Sequence, residues 1–223
     1  MKKFIVVAGN IGAGKSTLVR MLSDRLGWFP YYEPVAQNPY LADFYNDMRT
    51  WSFHSQIFFL SNRLQTHHQL MNHPSSVIQD RCVYEDAEVF AKNLFDQGLM
   101  TERDYQTYRD LYQVLVKFLP PPDLVVYLRA SISTLLNHIA QRDRDFERQI
   151  QPDYLTQLNS LYENWLANFT FCPVLTVPSD ELDYVNHPHH LDLIVKKIEE
   201  KLTGKEEVVF KVEEVNGYGK NSV

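Results

Sequence analysis

The residues that can do chemistry begin at the ninth position. Gly9-Asn10-Ile11-Gly12-Ala13-Gly14-Lys15-Ser16-Thr17 fits G-x-x-x-x-G-K-[ST], a phosphate-binding pattern, and follows the apolar run Phe4-Ile5-Val6-Val7-Ala8. Glycines let such a loop fold tightly, so that backbone N–H groups point inward at phosphate oxygens. The amphipathic run that follows (Leu18, Val19, Leu22, Leu26) predicts a helix whose N-terminus adds partial positive charge. Lys15 can reach the terminal phosphates, and the Ser16 hydroxyl can ligate Mg²⁺. This stretch predicts a nucleoside triphosphate site.

Further polar residues fall where strands should end. Glu33 precedes Pro34, which biases it away from helical geometry and leaves the acid at the end of the extended segment 28–32. Asp80-Arg81 closes the short apolar strand around Val77-Ile78. An aspartate there suits a Mg²⁺-associated carboxylate, and Arg81 can offset charge on a transferring phosphoryl group. Glu33 is then the carboxylate available to take a proton from a substrate hydroxyl. Gln56 and Arg63 lie nearly two helical turns apart, sharing a stripe with Phe53 and Leu60. Two long polar side chains in such a stripe predict the wall of a pocket for a planar polar group. Asp86 and Phe90 form an i, i+4 pair of one acceptor and one aromatic face. Arg142 and Arg144 belong to an alternating-charge run, a pattern met in a solvated helix face and also in a lid that closes over donor phosphates.

These residues need a scaffold. The pattern predicts strands near 3–8, 75–79, 124–128 and 173–177, with the segment 28–32 extended. Helices are expected near 15–26, 39–48, 50–72, 85–96, 101–118, 131–141, 153–169 and 188–202. Strands alternating with helices predict an α/β fold with a parallel sheet wrapped on both faces. The 223 residues suffice for one such domain, expected over 1–203, and the polar stretch 204–223 reads as a flexible tail. A net charge of −6 argues against general nucleic-acid binding, so a phosphate site must rely on locally placed cations and N–H groups. No run approaches the roughly 20 apolar residues of a membrane span. Cys82 and Cys172 lack metal-ligand spacing, and with no signal segment expected, the cytoplasm is the predicted compartment.

Together these motifs resemble the deoxynucleoside kinase family. The match rests on the loop at 9–17, Glu33-Pro34-Val35, Trp51 through Gln56 to Arg63, Asp80-Arg81 with Tyr84 and Asp86, Arg142 and Arg144, and Tyr162-Glu163-Asn164-Trp165. Asn38-Pro39-Tyr40-Leu41 with Phe44-Tyr45 is most similar to the bacterial deoxyadenosine/deoxyguanosine kinases. The resemblance implies a P-loop kinase with a five-stranded parallel sheet and an arginine-bearing lid, using ATP and Mg²⁺. It implies Glu33 as base, Arg81 steadying the 5′-oxygen and the γ-phosphate, and Ser16 and Asp80 around Mg²⁺. Gln56 would bind the base edge, Arg63 and Asp86 would set base preference, and Phe90 would stack on the base. Tyr45 and Glu163 would hold the 3′-hydroxyl, Arg142 and Arg144 would be lid residues, and the enzyme would be a homodimer. An ionised Asp86 accepts from an exocyclic amino group, so deoxyadenosine is the favoured acceptor, with deoxyguanosine and deoxycytidine behind it. A thymidylate-type nucleotide kinase is the nearest rival, but Tyr31-Tyr32-Glu33-Pro34-Val35 offers no second phosphate site. A guanine-nucleotide switch should carry Asn-Lys-x-Asp, which is missing.

Overall fold

The computed structural model describes residues 2–32, 37–144, 147 and 150–216. Its centre is a five-stranded, all-parallel sheet in the order β2-β3-β1-β4-β5. The strands are β1 (Phe4–Gly9), β2 (Phe29–Tyr31), β3 (Val77–Asp80), β4 (Leu124–Arg129) and β5 (Val174–Pro178). β1 is buried along its whole length because both faces of the sheet are covered by helices. Ile5 and Val7 join Leu18, Leu22 and Ile194 on one face, in contact with α1 (Lys15–Leu26) and α9 (Pro188–Leu202). Phe4, Val6 and Ala8 face the other way. They join Leu60, Tyr108 and Tyr162 from α3 (Met48–Asn72), α6 (Glu102–Val116) and α8 (Pro152–Ala167).

The strand order positions the site. The chain passes from β1 towards β2 and β3 on one side and later to β4 and β5 on the other, so β1 lies at the crevice where ligands of open α/β sheets bind. Val7 pairs in register with Asp80, which brings β3's terminal acid beside the mouth of the loop leaving β1. α2 (Leu41–Asn46) and α7 (Ile132–Arg142) flank this opening. Asp47 caps α3, its carboxylate accepting from the Thr50 N–H at 3.2 Å.

Three features differ from the sequence pattern. The helix expected at 85–96 is α4 (Val83–Glu85), a π-helical segment (Asp86–Ala91) and α5 (Lys92–Asp96), a wide turn that periodicity does not reveal. The buried stripe of α3 runs Ser52, Gln56, Leu60, Arg63, His67 and Leu70, while Phe53 is only partly covered. From Gly204 on, the segment read as a tail reaches α10 (Val212–Asn216), whose Val215 is buried; residues 217–223 lie outside the described residues. Its attachments are the Lys197–Glu214 ion pair and the Val215 carbonyl at 3.2 Å from His190 Nε2.

Candidate active site

The phosphate loop is clamped from both sides. On one side the Asn10 amide donates to the Leu155 carbonyl at 2.9 Å and to Asn159 Oδ1 at 2.7 Å, while Asn159 donates to the Ala130 carbonyl. On the other, His138 Nδ1 lies 2.7 Å from the Gly12 carbonyl oxygen and the Tyr184 hydroxyl donates to the Gly14 carbonyl. Glycine is required at two of these positions. A Cβ on Gly12 (φ +83°) would lie 2.7 Å from the Leu135 carbonyl oxygen, and one on Gly14 (φ +93°) 2.6 Å from the Tyr184 hydroxyl. Lys15, nearly buried, points its ammonium into the loop and donates to the Asn10 carbonyl at 2.9 Å.

At the end of β3, Ser16 Oγ donates to Asp80 Oδ2 at 2.5 Å, and Asp80 Oδ1 is buried with no hydrogen-bond partner. A carboxylate oxygen left over beside a hydroxyl fits a small hard cation completed by phosphate oxygens and water. Among the described residues no cluster of three His, Cys, Asp or Glu side chains that could hold a metal ion is found. Arg81 follows with a left-handed backbone (φ 67°), uncommon for a non-glycine residue. Its N–H donates to the Val7 carbonyl at 3.0 Å, and its guanidinium lies 4.1 Å from the centre of the Phe90 ring.

Gln56, Asp86 and Phe90 line one cavity together with Tyr45, Asp80 and Arg81. Arg63 stands behind the Asp86 carboxylate. Its guanidinium donates to Asp86 from Nε (3.1 Å) and Nη2 (3.4 Å), and from Nη1 to the Asp80 and Arg81 carbonyls. This orients Asp86 and ties it to the turn that carries Arg81. Gln56 Oε1 is buried without a partner, an acceptor directed at whatever fills the cavity. Asp86 and Phe90 both reach this wall from the π-helical segment.

A second cavity lies across the loop, lined by Thr134, His138, Asp180 and Tyr184 among others. The two cavities share Gly12, Lys15, Ser16, Arg142 and Arg144. Arg142 and Arg144 both pair with Glu147, a buried carboxylate at the same junction. Residue pattern alone does not single out Glu147, which lies inside an alternating-charge run. The expectation for Glu163 is corrected. One step around α8 from Tyr162, it is half exposed, paired with Arg129 and accepting from the Tyr127 hydroxyl at 3.1 Å, and it lines neither cavity. Glu33, the expected base, lies outside the described residues. β2 stops just short of it, with Tyr31 in register with Gln79 next to Asp80.

A family model described as deoxynucleoside kinase matches residues 5–203. The chain belongs to that family. Among curated relatives, the Bacillus subtilis deoxyadenosine/deoxycytidine kinase is 40% identical over 196 residues, 87% of this chain and 90% of that one. The Lactobacillus acidophilus deoxyadenosine kinase is 35% identical over 91% of this chain and 97% of its own length. The B. subtilis deoxyguanosine kinase is 33% identical over 88% of this chain and 96% of its own length. Among solved structures, the M. mycoides deoxyadenosine kinase with bound dATP superposes with a TM-score of 0.79 at 33% identity, covering 88% of this chain and 99% of that one. The fold and family expected from the motifs therefore stand: this member of the deoxynucleoside kinase family has the five-stranded parallel sheet they implied.

Proposed function

We propose that this kinase transfers the γ-phosphoryl group of ATP to the 5′-hydroxyl of deoxyadenosine, with deoxycytidine and deoxyguanosine as the alternative acceptors. The observation that carries this is the pair of cavities meeting at the phosphate loop: one has room for a donor, the other holds the base-reading groups, and both share Lys15, Arg142 and Arg144. Adenine suits the acceptor cavity because its exocyclic amino group satisfies the orphan oxygen of Gln56 or donates to the Asp86 carboxylate. Cytosine offers the same donor, which fits the range named for the Bacillus relative.

Glu33 takes the 5′-hydroxyl proton as that oxygen forms its bond to the γ-phosphorus. The bond from phosphorus to the β,γ-bridging oxygen breaks, and ADP leaves. Such transfer needs little covalent help from the protein, so the work is positioning and charge. Lys15, Arg81, Arg142 and Arg144 offset the charge on the moving group, and the loop N–H groups hold the rest of the triphosphate. Ser16 and Asp80 would hold Mg²⁺, which when bound supplies further charge neutralisation at the phosphate oxygens. Tyr45 and Glu147 line the acceptor cavity and take the sugar hydroxyl, the role first given to Glu163. We assign the protein to the cytoplasm, where its two free thiols would stay reduced. It pairs as a homodimer through the exposed Leu111, Val114 and Phe118, one apolar face along and just past α6.

Purified protein with Mg·ATP should phosphorylate deoxyadenosine far better than deoxyadenosine monophosphate. The reverse preference overturns the nucleoside-kinase reading, and a competition among the four deoxynucleosides fixes the base.

A further inference from the structure

Glu85 is an acid with no exposure at all, in a place where the reaction described above gives it no task. It ends α4, five residues beyond Asp80, and its carboxylate reaches across the sheet. Oε1 accepts from the Gly9 N–H at 3.2 Å and from the Tyr162 hydroxyl at 2.7 Å, while Oε2 accepts from the Cys82 N–H at 2.9 Å. One carboxylate thus joins the start of the phosphate loop, the turn after β3, and α8. The Cys82 contact alone would be an ordinary helix cap, which needs neither complete burial nor a reach to β1.

Tyr162 is equally buried and completes the connection. Its hydroxyl lies 2.8 Å from the Gly9 carbonyl oxygen and accepts from Arg81 Nη1 at 3.4 Å. Arg81 needs such support, since a left-handed residue other than glycine is strained and persists only where its surroundings enforce it. The Phe90 ring supports the guanidinium from another direction. Burial pushes the Glu85 carboxyl up from its ordinary pKa, and the positive charges of Arg81 and Lys15 pull against that.

We propose that Glu85 and Tyr162 form a buried strut that fixes Arg81 relative to the phosphate loop, making Glu85 a positioning residue for phosphoryl transfer. The inference rests on the kinase reading above. A displacement of about 1 Å in a group that orients a reaction costs about 10²-fold in rate, so the strut should act on turnover more than on nucleoside affinity.

Two variants and their combination test this. In Glu85→Gln, the side-chain NH₂ must face either the Gly9 N–H or the Cys82 N–H, donor against donor in both orientations. Tyr162→Phe removes the hydroxyl and keeps the ring stacked on Tyr127, 5.6 Å between centroids. Each should lower kcat by about 10- to 100-fold with the deoxynucleoside KM changed by no more than about twofold. Because both break one connection, the double variant should fall no more than about threefold below the lower single variant. A kcat within twofold of the parent in folded Tyr162→Phe overturns the strut, as do losses that multiply in the double variant. Should Glu85→Gln not fold, the kcat and KM of Tyr162→Phe decide alone. A parent protein that phosphorylates no deoxynucleoside would instead remove the kinase reading, so the two failures are distinguishable.

Discussion

Separating Arg63 from Asp86 should cost stability and base choice together, and removing both charges should cost less stability than the two separate losses summed, while the base choice stays altered. Both side chains are 4% exposed, so neither charge has water to fall back on. Removing one partner of a buried pair typically costs about 3–5 kcal/mol, because the other charge is left without compensation. Asp86→Asn keeps the volume and one acceptor for the guanidinium, so about 3 kcal/mol is expected. Arg63→Met strands the carboxylate and takes a donor from the Asp80 and Arg81 carbonyls, which puts it at the upper end, about 4–5 kcal/mol. Combined, the two changes remove both charges, and the total should be about 2 kcal/mol less than the sum. Urea unfolding at fixed pH measures this. With a slope of about 2–3 kcal/mol per molar, Asp86→Asn should lower the midpoint by about 1–1.5 M. In the competition assay the amide introduced by Asp86→Asn offers a donor in place of one acceptor, and the preference for amino-bearing bases should weaken about tenfold, or about 1.4 kcal/mol. Strictly additive stability losses together with an unchanged substrate ranking would refute the argument.

Three other perturbations probe separate parts of the molecule. Glu33→Gln should keep nucleoside binding while kcat falls roughly 10²–10⁴-fold, the usual scale for a general base, and undiminished turnover would remove it from the mechanism. Gly12→Ala puts a methyl 2.7 Å from the Leu135 carbonyl oxygen on a left-handed backbone, so the KM for ATP should rise at least about tenfold; an unaltered KM would show that the loop relaxes freely. His67, buried edge-on against Phe4, is held neutral by burial with its pKa lowered to about 4. Since the unfolded chain takes up the proton first, near pH 6.5, its contribution is complete above that pH and is lost as pH falls towards 4, about 1–2 kcal/mol by pH 5. His67→Leu should remove that part of the pH dependence in unfolding titrations, and an identical pH profile would refute the assignment.

Local chemistry made much of this legible from residues alone. A glycine loop after an apolar strand, an acid at a strand end, and apolar runs of strand length each announce themselves through short-range rules. Gln56, Arg63, Asp86 and Phe90 were also readable, because helical spacing already groups them. What escaped depends on contacts distant in sequence. Glu163 and Glu147 are both acids near arginines, and only α8's rotation against β4 shows that the first turns to Arg129 while the second enters the cavity. Nothing in the local sequence singles out Glu85; only the sheet brings Gly9 and Tyr162 to it. The π-helical turn and the left-handed Arg81 are likewise set by packing, since neither residue type favours them.

The carboxylate of Glu147 has a consequence for how the two substrates communicate. Arg142 and Arg144 both rest on it, so on the kinase reading proposed above it would be only partly available to a sugar hydroxyl, and the arginines only partly available to phosphate. A triphosphate that draws the arginines away leaves the acid free for the sugar, and a sugar that engages the acid lowers the cost of moving the arginines. By thermodynamic linkage each ligand then tightens the other by the same factor. On the kinase reading proposed above, Glu147 would act as an internal stand-in for the donor's charge, and the fully loaded state should be favoured over either half-filled one.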